Sequence, residues 1–129
     1  MNIPKAILIL LFTYASVGFG KEAVENKAVK KCMDKSSGTQ EMIVCVENEI
    51  INQNNIMSVR YKKISKELTQ EKKRQFDSIH KSWQQYSKAS CDFYLEQLPQ
   101  GLDSTLFAKD CILTKLQSRN QELLDLLTK

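Results

Sequence analysis

The chain has 129 residues, of which 42% are hydrophobic and 26% are charged, and its formal net charge is +4. A chain of this length forms one domain. Its acidic residues are almost as numerous as its basic residues, which argues against nucleic acid or an anionic membrane surface as the partner.

Residues 1–20 have the pattern of a secretory signal peptide. Lys5 supplies the positive charge, an apolar run follows, and the small residues Gly18 and Gly20 stand at its end. An uncleaved membrane anchor is the alternative, but the run is shorter than the roughly 20 residues that cross a bilayer. We therefore expect cleavage after Gly20 and a mature domain over residues 21–129 that is periplasmic or secreted and does not insert into the membrane.

In an exported chain, four cysteines predict two disulfides in place of a metal site or a nucleophile. Their spacing is not that of metal ligands, and the lone His80 has no ligand partner one turn away. Three pairings can be written, and sequence proximity favours Cys32–Cys45 and Cys91–Cys111. Each would tie two helices together across a connection and contribute roughly 3 kcal/mol. We expect no metal and no cofactor.

The first half of the chain reads as helical. Residues 21–35 predict a short helix, and a turn follows at residues 36–39. From Gln40 to Leu68 there is neither Gly nor Pro, and apolar residues recur at steps typical of a helix in a bundle. Gln53 stands where this rhythm expects an apolar residue. A buried polar side chain there would fix the register, or the helix could bend.

Thr69 is predicted to cap a third helix. A break is favoured over one continuous rod, because two helices folded back on each other bury their apolar stripes. Pro99 and Gly101 end the third helix, and Asp103 or Ser104 is expected to cap a fourth. Strand signals are absent. The predicted fold is all-α, a disulfide-stapled bundle of three long helices plus a short N-terminal helix.

The sequence contains no convincing pattern of catalytic residues. Asp77 lies one turn before His80 and could orient the imidazole as a general base. However, no serine lies in a nucleophile turn. Asp92 and Glu96 form an ordinary surface pair on a helix. The sequence therefore predicts a binding protein and no enzymatic activity.

Two features of the second half are candidates for packing or binding. Trp83, Tyr86 and Tyr94 follow the apolar face of the third helix, and we interpret them as core residues. A partner-binding role for some of them is the alternative, because Tyr and Trp are favoured anchors in interfaces. The connector from Gln97 to Leu106 is held at both flanks if the neighbouring cysteines pair. A preorganised loop loses less entropy when it docks. An ordinary helical connection is the alternative reading.

One pattern of residues spans most of the expected mature chain. It runs through Cys32, Cys45, Tyr61, Trp83, Tyr86, Cys91, Cys111, Arg119, Glu122 and Leu123. This order resembles the LprI-like lysozyme-inhibitor family of small exported bacterial helical domains. We interpret Tyr61, Trp83, Tyr86 and Arg119 as structural residues that brace the helices.

The sequence departs from the family pattern in two places. The family usually has Arg-Asp after the tyrosine of its W-x-x-Y segment, and here those positions are Ser87 and Lys88. Asn54 and Ser58 stand where the family usually carries Asp and Asn. These changes remove groups that could form internal ion pairs or binding contacts.

The resemblance implies a protein partner, a lysozyme whose cleft is blocked without catalysis. We place the contact on the connector, at Gln100, Asp103 and Ser104. The mature net charge of +3, from 18 basic and 15 acidic residues once Lys5 is removed, gives no long-range attraction to a basic lysozyme. A local acidic patch would be needed. An immunity or accessory protein that binds a secreted toxin or an envelope component is the alternative function.

Overall fold

The structure is a computed structural model that describes residues 26–129, so the predicted signal peptide lies outside the described residues. The helices are α1 (Lys27–Met33), α2 (Thr39–Glu67), α3 (Gln70–Glu96) and α4 (Leu102–Leu127). The described part contains no strand. None of its helices is both long and apolar enough to cross a membrane. The predicted all-α fold with three long helices and one short helix is confirmed.

Both favoured disulfide pairings are confirmed. Cys32–Cys45 joins α1 to α2, and Cys91–Cys111 joins α3 to α4. The Cα atoms of each pair are 5.8 Å apart, an ordinary separation for a bridge. Each disulfide therefore holds two consecutive helices together across the connection between them.

The turn between α2 and α3 begins at Leu68, whose backbone is extended. Thr69 then caps α3, because its Oγ1 accepts a hydrogen bond from the backbone N–H of Lys72 at 3.4 Å. Leu68 packs against the hydrophobic core, which keeps the turn close to the bundle. The predicted break at Thr69 is confirmed.

The principal helix pair is not the one expected from chain order. Because α3 reverses direction, α2 and α4 run parallel, and they pack against each other more extensively than any other pair among residues 26–129. Tyr61 of α2 reaches α3 near the turn, where its ring stacks on Phe76 at 4.9 Å between centroids. The expectation that α2 and α3 chiefly bury each other's stripes is therefore corrected. Their apolar faces meet at α4.

The core has two parts, both between α2 and its neighbours. The larger cluster contains Met57, Ile64, Phe76, Leu116 and Leu123. The smaller one joins α1 to α2 and α4 through Val29, Val46 and Leu113. The short first helix is thus anchored by the apolar side chains of Val29 and Met33 and by its disulfide.

Polar side chains set the register of α2 on α4. The buried Asn120 donates through Nδ2 to the backbone oxygen of Gln53 at 2.9 Å and to its Oε1 at 2.7 Å. The amide of Gln53 in turn donates to Glu49 at 2.7 Å. Arg60 donates to the backbone oxygen of Asn120 at 2.6 Å. The register alternative for Gln53 is therefore supported, and α2 continues as one helix through this point.

We predict that Asn120→Ala lowers the free energy of unfolding by about 2 kcal/mol, because it leaves the amide oxygen of Gln53 without its donor inside the bundle. Urea denaturation followed by circular dichroism measures the loss. Asn54→Ala is the matched control, since the Asn54 side chain is exposed and bonds only within its own helix, to Ile50. An equal loss in both variants would contradict the register role.

Candidate functional site

The connector between α3 and α4 is held in one conformation by local hydrogen bonds. Gly101 has φ +157°, which strongly favours glycine. The backbone N–H of Gly101 donates to Ser104 Oγ at 3.0 Å, and that hydroxyl donates back to the Gly101 carbonyl at 2.8 Å. Gly101 is therefore the N-cap of α4, and the helix begins at Leu102. The expectation that Asp103 or Ser104 is the cap is corrected, since both lie inside the first turn. The first turn of α4 is therefore hydrogen-bonded to the last residue of the connector, Gly101.

An open groove of about 700 Å³ lies where the connector meets the start of α2. Its walls are Thr39, residues 98–104 and Phe107. The disulfide between Cys91 and Cys111 holds the two helices that flank it. The groove therefore lies on a rigid frame at one end of the bundle.

The structure brings the three predicted contact residues to this groove, but in different environments. Gln100 and Asp103 are exposed. Asp103 Oδ1 accepts a hydrogen bond from Thr39 Oγ1 at 3.1 Å, which orients the carboxylate. Ser104 is only 4% exposed, and its hydroxyl forms both of its hydrogen bonds with the backbone of Gly101. We correct its assignment from a partner contact to a residue that shapes the loop.

Two apolar residues of the groove were missed by the sequence interpretation. Leu102 is 52% exposed and Phe107 is 49% exposed, although both are large and apolar. The available signal was the position of Phe107, which falls outside the leucine stripe of the fourth helix. Large apolar side chains beside oriented polar groups are typical of the anchor positions of protein interfaces.

Charge is divided unevenly between the two ends of the bundle. The connector end, residues 26–53 and 84–114, carries eight acidic and six basic side chains, a net of −2. The turn end, residues 54–83 and 115–129, carries five acidic and eleven basic side chains, a net of +6. The connector end thus has a negative net charge, although the formal net charge of the whole chain is positive.

Glu41 contributes a firmly ionised carboxylate to the connector end. The backbone N–H of Ser37 donates to it at 2.7 Å, and the Ser37 hydroxyl donates at 2.8 Å. These bonds, the backbone one first, hold the pKa of Glu41 below its usual value. Glu47, in contrast, is paired with Lys109 at 3.0 Å. Glu41 and Asp103 are therefore two exposed carboxylates of this end that bond neutral donors.

A second cluster joins the three long helices nearer the turn. The His80 ring lies 4.6 Å from the ring of Tyr61 and 5.8 Å from that of Trp83, between centroids. The Arg119 guanidinium lies 5.8 Å from the Trp83 ring and bonds Glu122 at 2.8 Å. Arg119 is only 7% exposed. Contacts through Tyr61, Trp83 and Arg119 thus link α2, α3 and α4.

Two aromatic residues of the third helix are not core residues. Tyr86 and Tyr94 are both more than half exposed, so their interpretation as core is wrong. Tyr86 still contacts α4, because the Lys115 ammonium lies 4.7 Å from its ring centroid. Helical spacing alone does not distinguish the centre of a buried face from its edge.

The Asp77 and His80 side chains do not form a catalytic pair. Asp77 accepts the hydroxyl of Tyr61. The buried Nδ1 of His80 has no hydrogen-bond partner within residues 26–129. Burial lowers the pKa of His80, and the nearby Arg119 lowers it further, against an opposing effect of Asp77. Across the same residues, no group of three or more His, Cys, Asp or Glu could hold a metal ion.

The match to a known family spans the disulfides, the groove and the bracing cluster. The family described as "Lysozyme inhibitor LprI" matches residues 32–123. The chain belongs to the LprI family. Comparisons with the curated proteins and with the solved structures gave no match. Membership of an inhibitor family agrees with a protein-binding role, and together with the disulfides it indicates an extracytoplasmic protein.

The departures from the usual LprI pattern lie away from the groove. Ser87 is buried and its hydroxyl has no partner among residues 26–129, whereas Lys88 is exposed and pairs with Asp92. Asn54 bonds within α2, and Ser58 is exposed on the same helix. None of the four lines the groove. The four positions therefore lie on α2 and α3, outside the connector.

We predict that stability depends on pH through His80. Because the folded pKa is lowered, the unfolded chain takes up a proton first as the pH falls below about 6.5. The free energy of unfolding should thus be at its full value above that pH and decrease below it.

Urea denaturation between about pH 7.5 and pH 5.5 measures this slope, in a window above the titration of ordinary carboxylates. His80→Phe keeps an aromatic ring between Tyr61 and Trp83 and should flatten the profile. His80 is the only histidine in the chain. A slope in the variant equal to that of the original protein would contradict the assignment.

Proposed function

We propose that this LprI protein is exported and binds a peptidoglycan-cleaving lysozyme, and that its connector end occludes the enzyme's cleft. The observation that carries the proposal is the exposed pair Leu102 and Phe107 beside Asp103, on a connector held by a disulfide. The predicted signal peptide and the two disulfides support action in the periplasm or outside the cell.

The rigidity of the connector favours occlusion. The disulfide and the Ser104–Gly101 hydrogen bonds order the loop before it docks, so little conformational entropy is lost on binding. The same loop is a poor candidate for catalysis, since it presents one carboxylate where a glycosidase needs two facing each other. The connector can fill a cleft, and its chemistry is that of recognition.

The groups on the connector complement a glycosidase cleft. Such a cleft holds catalytic carboxylates and donors that bind sugar hydroxyls. The exposed amide of Gln100 can donate to a carboxylate, and Asp103 can accept from the sugar-binding donors. Leu102 and Phe107 would then bury apolar surface against the cleft walls, where most of the binding free energy of an interface arises.

The separation of charge supports docking through this end. A basic lysozyme is attracted by the connector end, with its net charge of −2, and repelled by the turn end, with its net charge of +6. This field orients the two proteins before contact and acts mainly on the association rate. The objection raised by the positive net charge of the whole chain does not apply to the connector end.

We predict that Asp103→Lys weakens inhibition of a basic lysozyme at least about tenfold, because it reverses a charge at the centre of the proposed contact. The measurement is the rate of cell-wall lysis against increasing concentrations of the oxidised protein. Asp110→Lys is the matched control, since Asp110 is exposed on the same helix and does not line the groove. Circular dichroism checks that both variants are folded.

Three outcomes distinguish the claims. Loss in Asp103→Lys with full activity in Asp110→Lys supports the connector as the contact. Equal effects would show that only the general charge matters and that the connector is the wrong site. Absence of inhibition by the original protein at micromolar concentration, against several lysozymes, would overturn the proposed function.

A further inference from the structure

One face of α3 is exposed although it carries large apolar side chains. Ile79, Tyr86 and Phe93 recur every seven residues, and each is more than half exposed. The adjacent side of the helix supplies Phe76 and Cys91 to the interior. Lys115 of α4 lies over Tyr86 at the edge of this face, with its ammonium 4.7 Å from the ring centroid.

Short side chains alternate with the large ones along this face. The positions three residues after Ile79 and Tyr86 are Ser82 and Ala89, and both are exposed. Large and small residues that alternate at steps of three and four form the a and d positions of a helix-pairing seam. A second helix can fill the spaces above the small residues with its own large side chains.

We propose that a second copy of the chain covers this face, with α3 packed against α3 in antiparallel orientation about a twofold axis. In one register every large residue meets a shorter one. Ile79 packs on the partner's Ala89, Tyr86 on the partner's Ser82, and Phe93 on the partner's Gln75. Twofold symmetry repeats each contact, so one stripe supplies both surfaces of the interface.

The charges at the ends of α3 complement each other in this orientation. After Glu71 in its first turn, the helix carries Lys72, Lys73 and Arg74. Near its end it carries Asp92, which pairs with Lys88, and Glu96. In the same register, Lys72 faces the partner's Glu96 at both ends of the seam. A parallel arrangement would instead place like charges together, which disfavours it.

The basic start of α3 is unfavourable within one subunit. Cations at a helix N-terminus oppose the helix dipole, and acidic side chains there are the stabilising choice. A partner's Glu96 beside Lys72 offsets this cost. The exposed stripe and the inverted charges at the helix ends are thus two separate observations, and one arrangement accounts for both.

The seam predicts a reversible dimer. An interface formed by one helix face lies at the low end of specific protein interfaces, on the order of 1,200 Å² in total. A dissociation constant in the micromolar range is therefore expected. The connectors would lie at opposite ends of the dimer, so the inference is independent of the proposed inhibition and leaves both grooves open.

Sedimentation equilibrium of the oxidised protein produced from the full chain tests the dimer over about 5–500 µM, a range that brackets the expected constant. The charge-reversal variants Lys72→Glu and Glu96→Lys should each weaken it about tenfold, since each puts like charges together twice. The double variant should restore the original affinity. Both single changes favour the helix dipole, so weaker association will not reflect a misfolded α3.

Lys73→Glu is the matched control, because it makes the same charge change at the adjacent exposed residue outside the seam. It should leave the dimer within about twofold of the original affinity. Ile79→Lys, which places charge in the seam, should give a monomer throughout the concentration range. A monomeric original protein, or a dimer that ignores both Ile79→Lys and the charge reversals, would overturn the proposal.

Discussion

The hydrogen bonds between Asn120 and Gln53 are the contact on which the rest of this bundle depends. No connection links α2 directly to α4, because the whole of α3 lies between them in the chain. Hydrophobic stripes hold such a pair together but tolerate sliding, whereas a buried amide pair is satisfied in one register only. That register brings Thr39 to Asp103 and so completes the groove at the far end.

The two ends of the bundle have different physical characters. The connector end exposes apolar and acidic groups on an ordered loop. This loop is held by the Cys91–Cys111 disulfide, by Gly101 at a positive φ and by the buried Ser104. At the turn end, rings from α2 and α3 stack below a buried guanidinium, and the surface is basic. Membership of the LprI family fits this division, since an inhibitor requires a rigid presenting end and a stable support.

Several parts of the fold and site followed from the sequence. The helices, the break at Thr69 and both disulfides were predicted, because capping, periodicity and short connections are local properties. The predicted contact residues Gln100 and Asp103 line the groove, and their role as partner contacts stays a prediction. Ser104 was misassigned as a partner contact, and Tyr86 and Tyr94 were misassigned as core residues, for one reason. The local sequence pattern shows which contacts a residue can make and does not show which way its side chain faces. Leu102 and Phe107 were missed for the same reason.

The sequence by itself determined that this chain is an all-α protein stapled in two places, since helical periodicity and cysteine proximity act over a few turns of chain. Only the tertiary structure decided that α2 pairs with α4, that the basic side chains gather at the turn end and that one face of α3 stays uncovered. These features depend on which helices become neighbours. Apolar periodicity identifies the face that a helix buries, but the partner is selected by register contacts between residues far apart in sequence.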